Sequence, residues 1–172
     1  IVSHFKLHGK IDIEMGTFSK AFGVVGGYVC GSKNLCEFAL NKSRTWLLTG
    51  SHPPAVTAAC IASIETIQKK PQLVKTLWKN RGFFVKELKD SGFNTGNSQT
   101  PIIPIMLGDS GLAKNFSQEL FKKGVYGLPI TFPMVAQGKA RIRTQVSASH
   151  TKKDLEQALD AIKKVGKQLK VI

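Results

Sequence analysis

From Pro71 to about Asp90 the apolar residues Leu73, Val74, Leu77, Trp78, Phe84, Val85 and Leu88 recur at intervals of three and four, the spacing of one helix face. Proline is tolerated in a first helical turn and glycine just past the last, so Pro71 and Ser91-Gly92 bracket one long amphipathic helix. Its stripe needs a surface to cover it, and the residues that follow can supply one. After the polar, turn-rich connection Asn94–Thr100, the pattern predicts a strand over 101–107, a helix over about 111–123 stopped by Gly124, and a short strand near 125–130. A strand over 140–147 and a last helix from about Thr151 to Leu169 complete the series, with Thr151 and Asp154 at capping-box spacing. Strand, helix, strand, strand, helix behind one long helix predicts a compact α+β unit.

Ahead of Pro71 the punctuation differs. Ile11–Ser19 begins with period-two alternation and ends in small polar residues, as a strand running into a loop does. Val24–Gly31 is short, β-branched and broken by Gly26 and Gly27, and reads as a second, buried strand. Ser32 stands where it would cap a helix over 33–43. Pro53-Pro54 then opens a helix over Ala55–Gln68, whose Ala58, Ala59, Ile61, Ala62 and Ile64 predict burial on nearly every side.

With 42% hydrophobic and 21% charged residues, the 172-residue chain has enough apolar surface for a core, which argues against intrinsic disorder. Its longest apolar runs are far too short to cross a bilayer as helices, so no membrane protein is expected. The start, Ile1-Val2-Ser3-His4, has no initiator Met and no leader pattern, as a chain beginning partway through a larger protein would. Cys30, Cys36 and Cys60 are an odd set without a CxxC pair, which suits a reducing, cytoplasmic setting. His4 and His8 share i, i+4 spacing but lack nearby carboxylates, and no metal site is expected. The net charge of +14 invites a nucleic-acid reading, yet Lys69-Lys70, Lys122-Lys123, Lys152-Lys153 and Lys163-Lys164 are scattered over amphipathic segments and read as solvated faces. Attraction for an anionic coenzyme explains the charge equally well.

Chemistry concentrates in Gly16-Thr17-Phe18-Ser19-Lys20-Ala21-Phe22-Gly23-Val24-Val25-Gly26-Gly27-Tyr28. A lysine just past a strand, with two hydroxyls before it and a glycine-rich turn after it, has the parts for an imine with a phosphate-bearing aldehyde. On spacing alone a plain exposed loop lysine is the commoner outcome, since the pattern is neither a Walker A loop nor GxGxxG. Arg141 and Arg143 alternate onto one face of a strand, which leaves open which of them would bind a carboxylate and whether either is simply an ion-pair partner.

Met15–Tyr28 resembles the cofactor-lysine motif of the α-oxoamine synthases, pyridoxal-phosphate enzymes of the type I aminotransferase fold. Further matches follow in order: Ser43–Ser51 with Pro53-Pro54-Ala55, Pro101–Asp109, and Ala140–Thr151. The resemblance covers essentially the whole chain. It implies an α/β architecture: the C-terminal part of the type I fold, with residues 1–70 from the cofactor-binding large domain, a connecting helix over 71–92 and a small α+β domain over 93–172. By the same resemblance Lys20 forms the internal aldimine with pyridoxal 5'-phosphate and removes the α-proton of the amino acid. Thr17 contacts the cofactor phosphate, Thr49 and Gly50 reach the partner's phosphate across a homodimer interface, and Arg143 receives the substrate carboxylate. The family's glycine-aromatic phosphate loop, its ring-stacking histidine, and the Asp and His that hold the pyridine nitrogen and phenolic oxygen have no counterpart here. His4 and His8 lie in the spacer before the lysine strand and take none of those roles. Without the aspartate the ring is a poor electron sink, so this chain alone is expected to be inactive.

The implied reaction joins a small amino acid to an acyl-CoA. Within the family the ending Val165–Ile172 leans toward glycine C-acetyltransferase, which uses glycine and acetyl-CoA. The alternative is 8-amino-7-oxononanoate synthase of biotin synthesis, which uses alanine and pimeloyl-CoA. A basic nucleic-acid-binding domain is the rival from a different class.

Overall fold

A computed structural model describes residues 1–172, which divide into two compact units, Ile1–Lys70 and Pro71–Ile172.

The first unit contains α1 (Val2–Phe5), β1 (Ile13–Thr17), β2 (Gly27–Gly31), α2 (Lys33–Lys42), α3 (Arg44–Leu47) and α4 (Pro54–Lys69). β1 and β2 form an antiparallel ribbon that pairs Ile13 with Gly31 and Thr17 with Gly27. Ser32 caps α2 by accepting from the Leu35 N–H at 3.3 Å, and Pro54 stands in the first turn of α4. Two expectations fail on burial. Every residue of β2 is exposed rather than buried, and no residue of α4 is buried. The physical reason is layering: a two-stranded ribbon and a single small-residue helix cannot enclose one another's apolar faces, and the unit contains no second sheet layer to do so. His4 and His8 also do not share a helix, because α1 ends at Phe5 and Lys6 turns the backbone left-handed with φ 55°.

The second unit contains α5 (Gln72–Asp90), β3 (Ile102–Gly108), α6 (Ser110–Lys122), β4 (Leu128–Ile130), β5 (Ala140–Gln145) and α7 (Lys152–Gln168). Its three strands form an antiparallel sheet in the order β3-β5-β4. One face of the sheet presents Ile103, Ile105 and Ile142, each fully buried, to Phe116 and Leu120 of α6. Leu155, Leu159, Ile162 and Val165 of α7 and Phe84 and Leu88 of α5 close the same core. The long helix begins where the spacing places it, but Leu73, Val74 and Trp78 in its first turns are exposed, so only the later part of its stripe is covered.

β4 is shorter than expected because the Val125 N–H donates to Leu120 O at 3.0 Å, which makes Gly124-Val125 the end of α6 rather than the start of a strand. Prolines in strands fall on the edges. Pro104 shares its parity with Met106, whose N–H points away from β5 to Asn94 O at 2.8 Å, so the donor missing at Pro104 costs no ladder bond. At the start of α7, the Thr151 N–H donates to Asp154 Oδ2 at 2.8 Å and the Asp154 N–H to Thr151 Oγ1 at 3.2 Å. No helix is long and apolar enough to cross a membrane. All three cysteines are free. Five lysines, Lys33, Lys69, Lys86, Lys152 and Lys164, form i, i+4 ion pairs with acidic residues on their own helices.

Candidate active site

Lys20 occupies the tip of the connection between β1 and β2. The Gly23 N–H donates to Lys20 O at 3.1 Å, which closes a tight turn that Gly23 completes at φ 69°. Below it, the Phe18 N–H donates to Gly26 O at 2.9 Å and the Val24 N–H to Phe18 O at 3.1 Å, so the backbone of the loop is held on both sides. Phe18 packs edge-on against Phe22, 5.8 Å between centroids, and tilted against Tyr28 at 5.5 Å. The Tyr28 ring lies directly over Gly16, where any Cβ would strike it. This aromatic packing steadies the base of the loop and leaves the lysine side chain exposed at its tip.

Thr17, the last residue of β1, places its Oγ1 2.7 Å from Ser19 Oγ and accepts from the Ser19 N–H at 3.2 Å. A primary amine beside two hydroxyls, on a loop held at its base, is a donor set that fits an aldehyde carrying a phosphate. Thr49 and Gly50 lie in the exposed link between α3 and α4, where Thr49 Oγ1 accepts from the Ser51 N–H at 3.3 Å. The imidazole of His52 sits against Gly26, leaving no room there for a Cβ at φ 116°. The link that carries Thr49 and Gly50 is thereby seated on the lysine loop. Sequence reading did not single out His52, and its only signal was proximity to Thr49-Gly50.

In the second unit the sheet face opposite the core carries Arg141 and Arg143. β5 pairs Arg141 with Met106 on one side and Ile130 on the other, and Arg143 with Pro104 and Leu128. A groove of about 620 Å³ runs over this face, walled by Gly96, Asn97, Ser98 and Thr100 of the connection before β3. That wall is anchored: the Gly96 N–H donates to Asn94 Oδ1 at 2.9 Å, and the Ser98 hydroxyl donates to Ile102 O. Neither arginine is in ion-pair range of a carboxylate. The Arg141 Nε–H donates to Lys139 O at 3.0 Å, which turns its side chain along the strand end. Both guanidinium groups are thus free to meet an anion. The connection between β5 and α7 is fixed by Asn80 of α5, whose Nδ2 donates to Ser147 O and His150 O at 2.9 Å each. No group of three or more His, Cys, Asp or Glu side chains is arranged to hold a metal ion.

Residues 2–162 match the family described as aminotransferase class I and II. The chain belongs to this family. Among curated relatives, 8-amino-7-oxononanoate synthase 1 of Bacillus subtilis (strain 168) is 48% identical over 171 residues, which is 99% of this chain and 44% of that protein. The 8-amino-7-oxononanoate synthase of Thermosipho melanesiensis is 49% identical over 172 residues, 100% of this chain and 44% of its own. Among solved structures, a serine palmitoyltransferase variant from S. paucimobilis with a bound PLP–myriocin aldimine superposes with a TM-score of 0.93 at 29% identity. That match covers 99% of this chain and 44% of the transferase. The chain spans less than half the length of the relatives it matches. Within the class I and II family these relatives place it among the α-oxoamine synthases, a branch of pyridoxal-phosphate enzymes, and its α/β architecture is the corresponding part of the type I fold.

The comparisons overturn the expectation of a glycine C-acetyltransferase. Relatives 43–49% identical over 98–100% of the chain are named 8-amino-7-oxononanoate synthase. Of the residues that leaned the other way, Val165–Ile172, the apolar ones pack into the core while Lys167, Gln168 and Lys170 are exposed. Val165 is fully buried, a Cβ on Gly166 would lie 2.5 Å from Phe93 Cζ, and Ile172 packs against the core. Such positions report how the last helix closes the unit.

Proposed function

We propose that this chain forms the C-terminal half of an 8-amino-7-oxononanoate synthase, a cytoplasmic pyridoxal-phosphate enzyme that joins alanine to pimeloyl-CoA with release of CoA and carbon dioxide. The observation that carries the reading is the 48–49% identity to enzymes of that name across the whole chain. The serine palmitoyltransferase shares the backbone closely at 29% identity. A shared backbone is common to many substrates, so the higher sequence identity is what favours the synthase over the palmitoyltransferase.

Bound pyridoxal phosphate supplies the electron sink for the carbanion at the amino acid's α-carbon. Lys20 Nζ would hold the cofactor through its aldehyde and, once displaced, would take the α-proton, and its exposed place on a braced turn leaves it room to move. The Thr17 hydroxyl, beside that of Ser19, donates to the phosphate. Thr49 and Gly50 serve the phosphate of the partner subunit in a homodimer, with His52 holding their link against Gly26. Arg143 grips the alanine carboxylate through its planar fork. The contacts to the pyridine ring come from the part of the relatives' length that this chain does not span.

The test uses the enzyme at the relatives' full length, loaded with pyridoxal phosphate, and follows CoA release. Alanine with pimeloyl-CoA is expected to turn over faster than serine with palmitoyl-CoA, and the reverse order would overturn the substrate reading. Lys20→Ala is expected to lose the visible absorbance of the loaded enzyme and to lower kcat by on the order of 10²–10⁴ or more. Retention of both would remove Lys20 from its role.

A further inference from the structure

If Arg143 is occupied by the amino acid's carboxylate, a second guanidinium on the same sheet face is left without an anion. Arg141 lies two residues away along β5, roughly 6–7 Å at the rise of a strand, and points to the same side. Its cross-strand neighbours are Met106 and Ile130, and Val135 and Pro104 extend the apolar lining of the same groove. Arg141 is half-buried, no carboxylate pairs with it, and only its Nε–H is taken, by a backbone carbonyl. An arginine kept unpaired among apolar side chains is costly unless an anion arrives with an apolar body of its own.

The pimeloyl group has that composition: a polymethylene chain ending in a carboxylate. We propose that Arg141 is the specificity-determining residue that receives the terminal carboxylate of the acyl group, with Met106 and Ile130 flanking the methylene chain. The inference rests on the synthase reading above, because an acyl donor without a terminal carboxylate gives Arg141 nothing to bind. A planar guanidinium whose Nη1/Nη2 edge is left free by the bond at Nε suits a carboxylate better than an ammonium would. One sheet face thereby reads both ends of the condensing pair: Arg143 the amino acid and Arg141 the far end of the acyl chain.

The experiment compares kcat/KM for pimeloyl-CoA and heptanoyl-CoA, which share chain length and differ in the terminal carboxylate, in the full-length loaded enzyme and in Arg141→Gln and Arg141→Lys. The parent is expected to prefer pimeloyl-CoA. Arg141→Gln is expected to reduce that preference about tenfold or more, through KM for pimeloyl-CoA, as loss of a charge-assisted hydrogen bond would. Arg141→Lys is expected to recover part of it, which also shows that the strand tolerates substitution. An equal loss for both acyl-CoAs would mean that Arg141 grips the CoA phosphates or shapes the strand, and the inference falls. A rise in KM for alanine in place of pimeloyl-CoA would exchange the roles of the two arginines and overturn it as well. Absence of any preference in the parent would show up before a variant is made and would overturn the inference, whereas the synthase reading falls only if serine with palmitoyl-CoA turns over faster than alanine with pimeloyl-CoA.

Discussion

At the scale of single residues, the two arginines of β5 differ in what surrounds them. Their alternation on one strand was visible in the sequence, but whether they were ion-pair partners was not, because a carboxylate partner could have come from any distant segment. None does. Arg143 is the more exposed and has only Pro104 and Leu128 across the ladder, while Arg141 is tied at Nε and flanked by Met106 and Ile130. Arg143→Ala is therefore expected to raise KM for alanine by roughly 10–100-fold, the size of a lost charge-assisted contact, with a far smaller change for the acyl-CoA. Steady-state kinetics with each substrate varied in turn measure the split. Equal losses for both substrates would make the arginine structural. Glycines tell the same story of neighbours: Gly26 looked like punctuation in a strand, and the structure shows a histidine against it and a tyrosine ring on Gly16.

At the scale of elements, helix starts were the most legible features. Ser32, Pro54 and Thr151 all act where local spacing places them, because a cap is made by residues three positions apart. The box at α7 also carries a pH dependence. The hydroxyl and then the N–H of Thr151 hold the Asp154 carboxyl below its usual range. A lowered folded-state value means that the stabilisation is complete above the unfolded value and disappears as pH falls through the folded one. Thr151→Ala is expected to cost about 1 kcal/mol at neutral pH, read from the urea midpoint of the second unit. Asp154→Asn is expected to be less stable than the parent at pH 7, with the difference shrinking in acid as the parent's own carboxylate takes a proton. A difference that persists unchanged below the folded value would remove Asp154 from the cap. Strand lengths were less legible: β4 loses its first residues to the end of α6, a competition between two backbone partners that composition does not reveal.

At the scale of the whole molecule, the two units differ in kind. The second encloses a core in which Ile103, Ile105, Phe116, Leu120, Ile142 and Ile162 are fully buried, whereas the first has no buried residue. Hydrogen exchange of the 172-residue chain is expected to show amides of β3 and β5 protected for far longer than those of β1 and β2, since exchange tracks the free energy of local opening. Equal protection in the two sheets would contradict this. Val29, Ile61 and Ile64, expected to be buried in the first unit, are among the residues left exposed.

Local order carries the rest of the lesson. The sequence by itself determined the succession of strands and longer helices, their caps, the loop that presents Lys20, and the family to which four ordered motifs point, because each depends on residues a few positions apart; the one-turn helices α1 and α3 it did not show. Only the tertiary structure decided that 1–70 encloses no core of its own, that the apolar residues of the ending Val165–Ile172 serve packing, and that Arg141 is flanked by apolar side chains and lacks a carboxylate partner. Those outcomes depend on what lies across a sheet or against a helix face. Such neighbours are brought together by folding from positions that no local pattern connects.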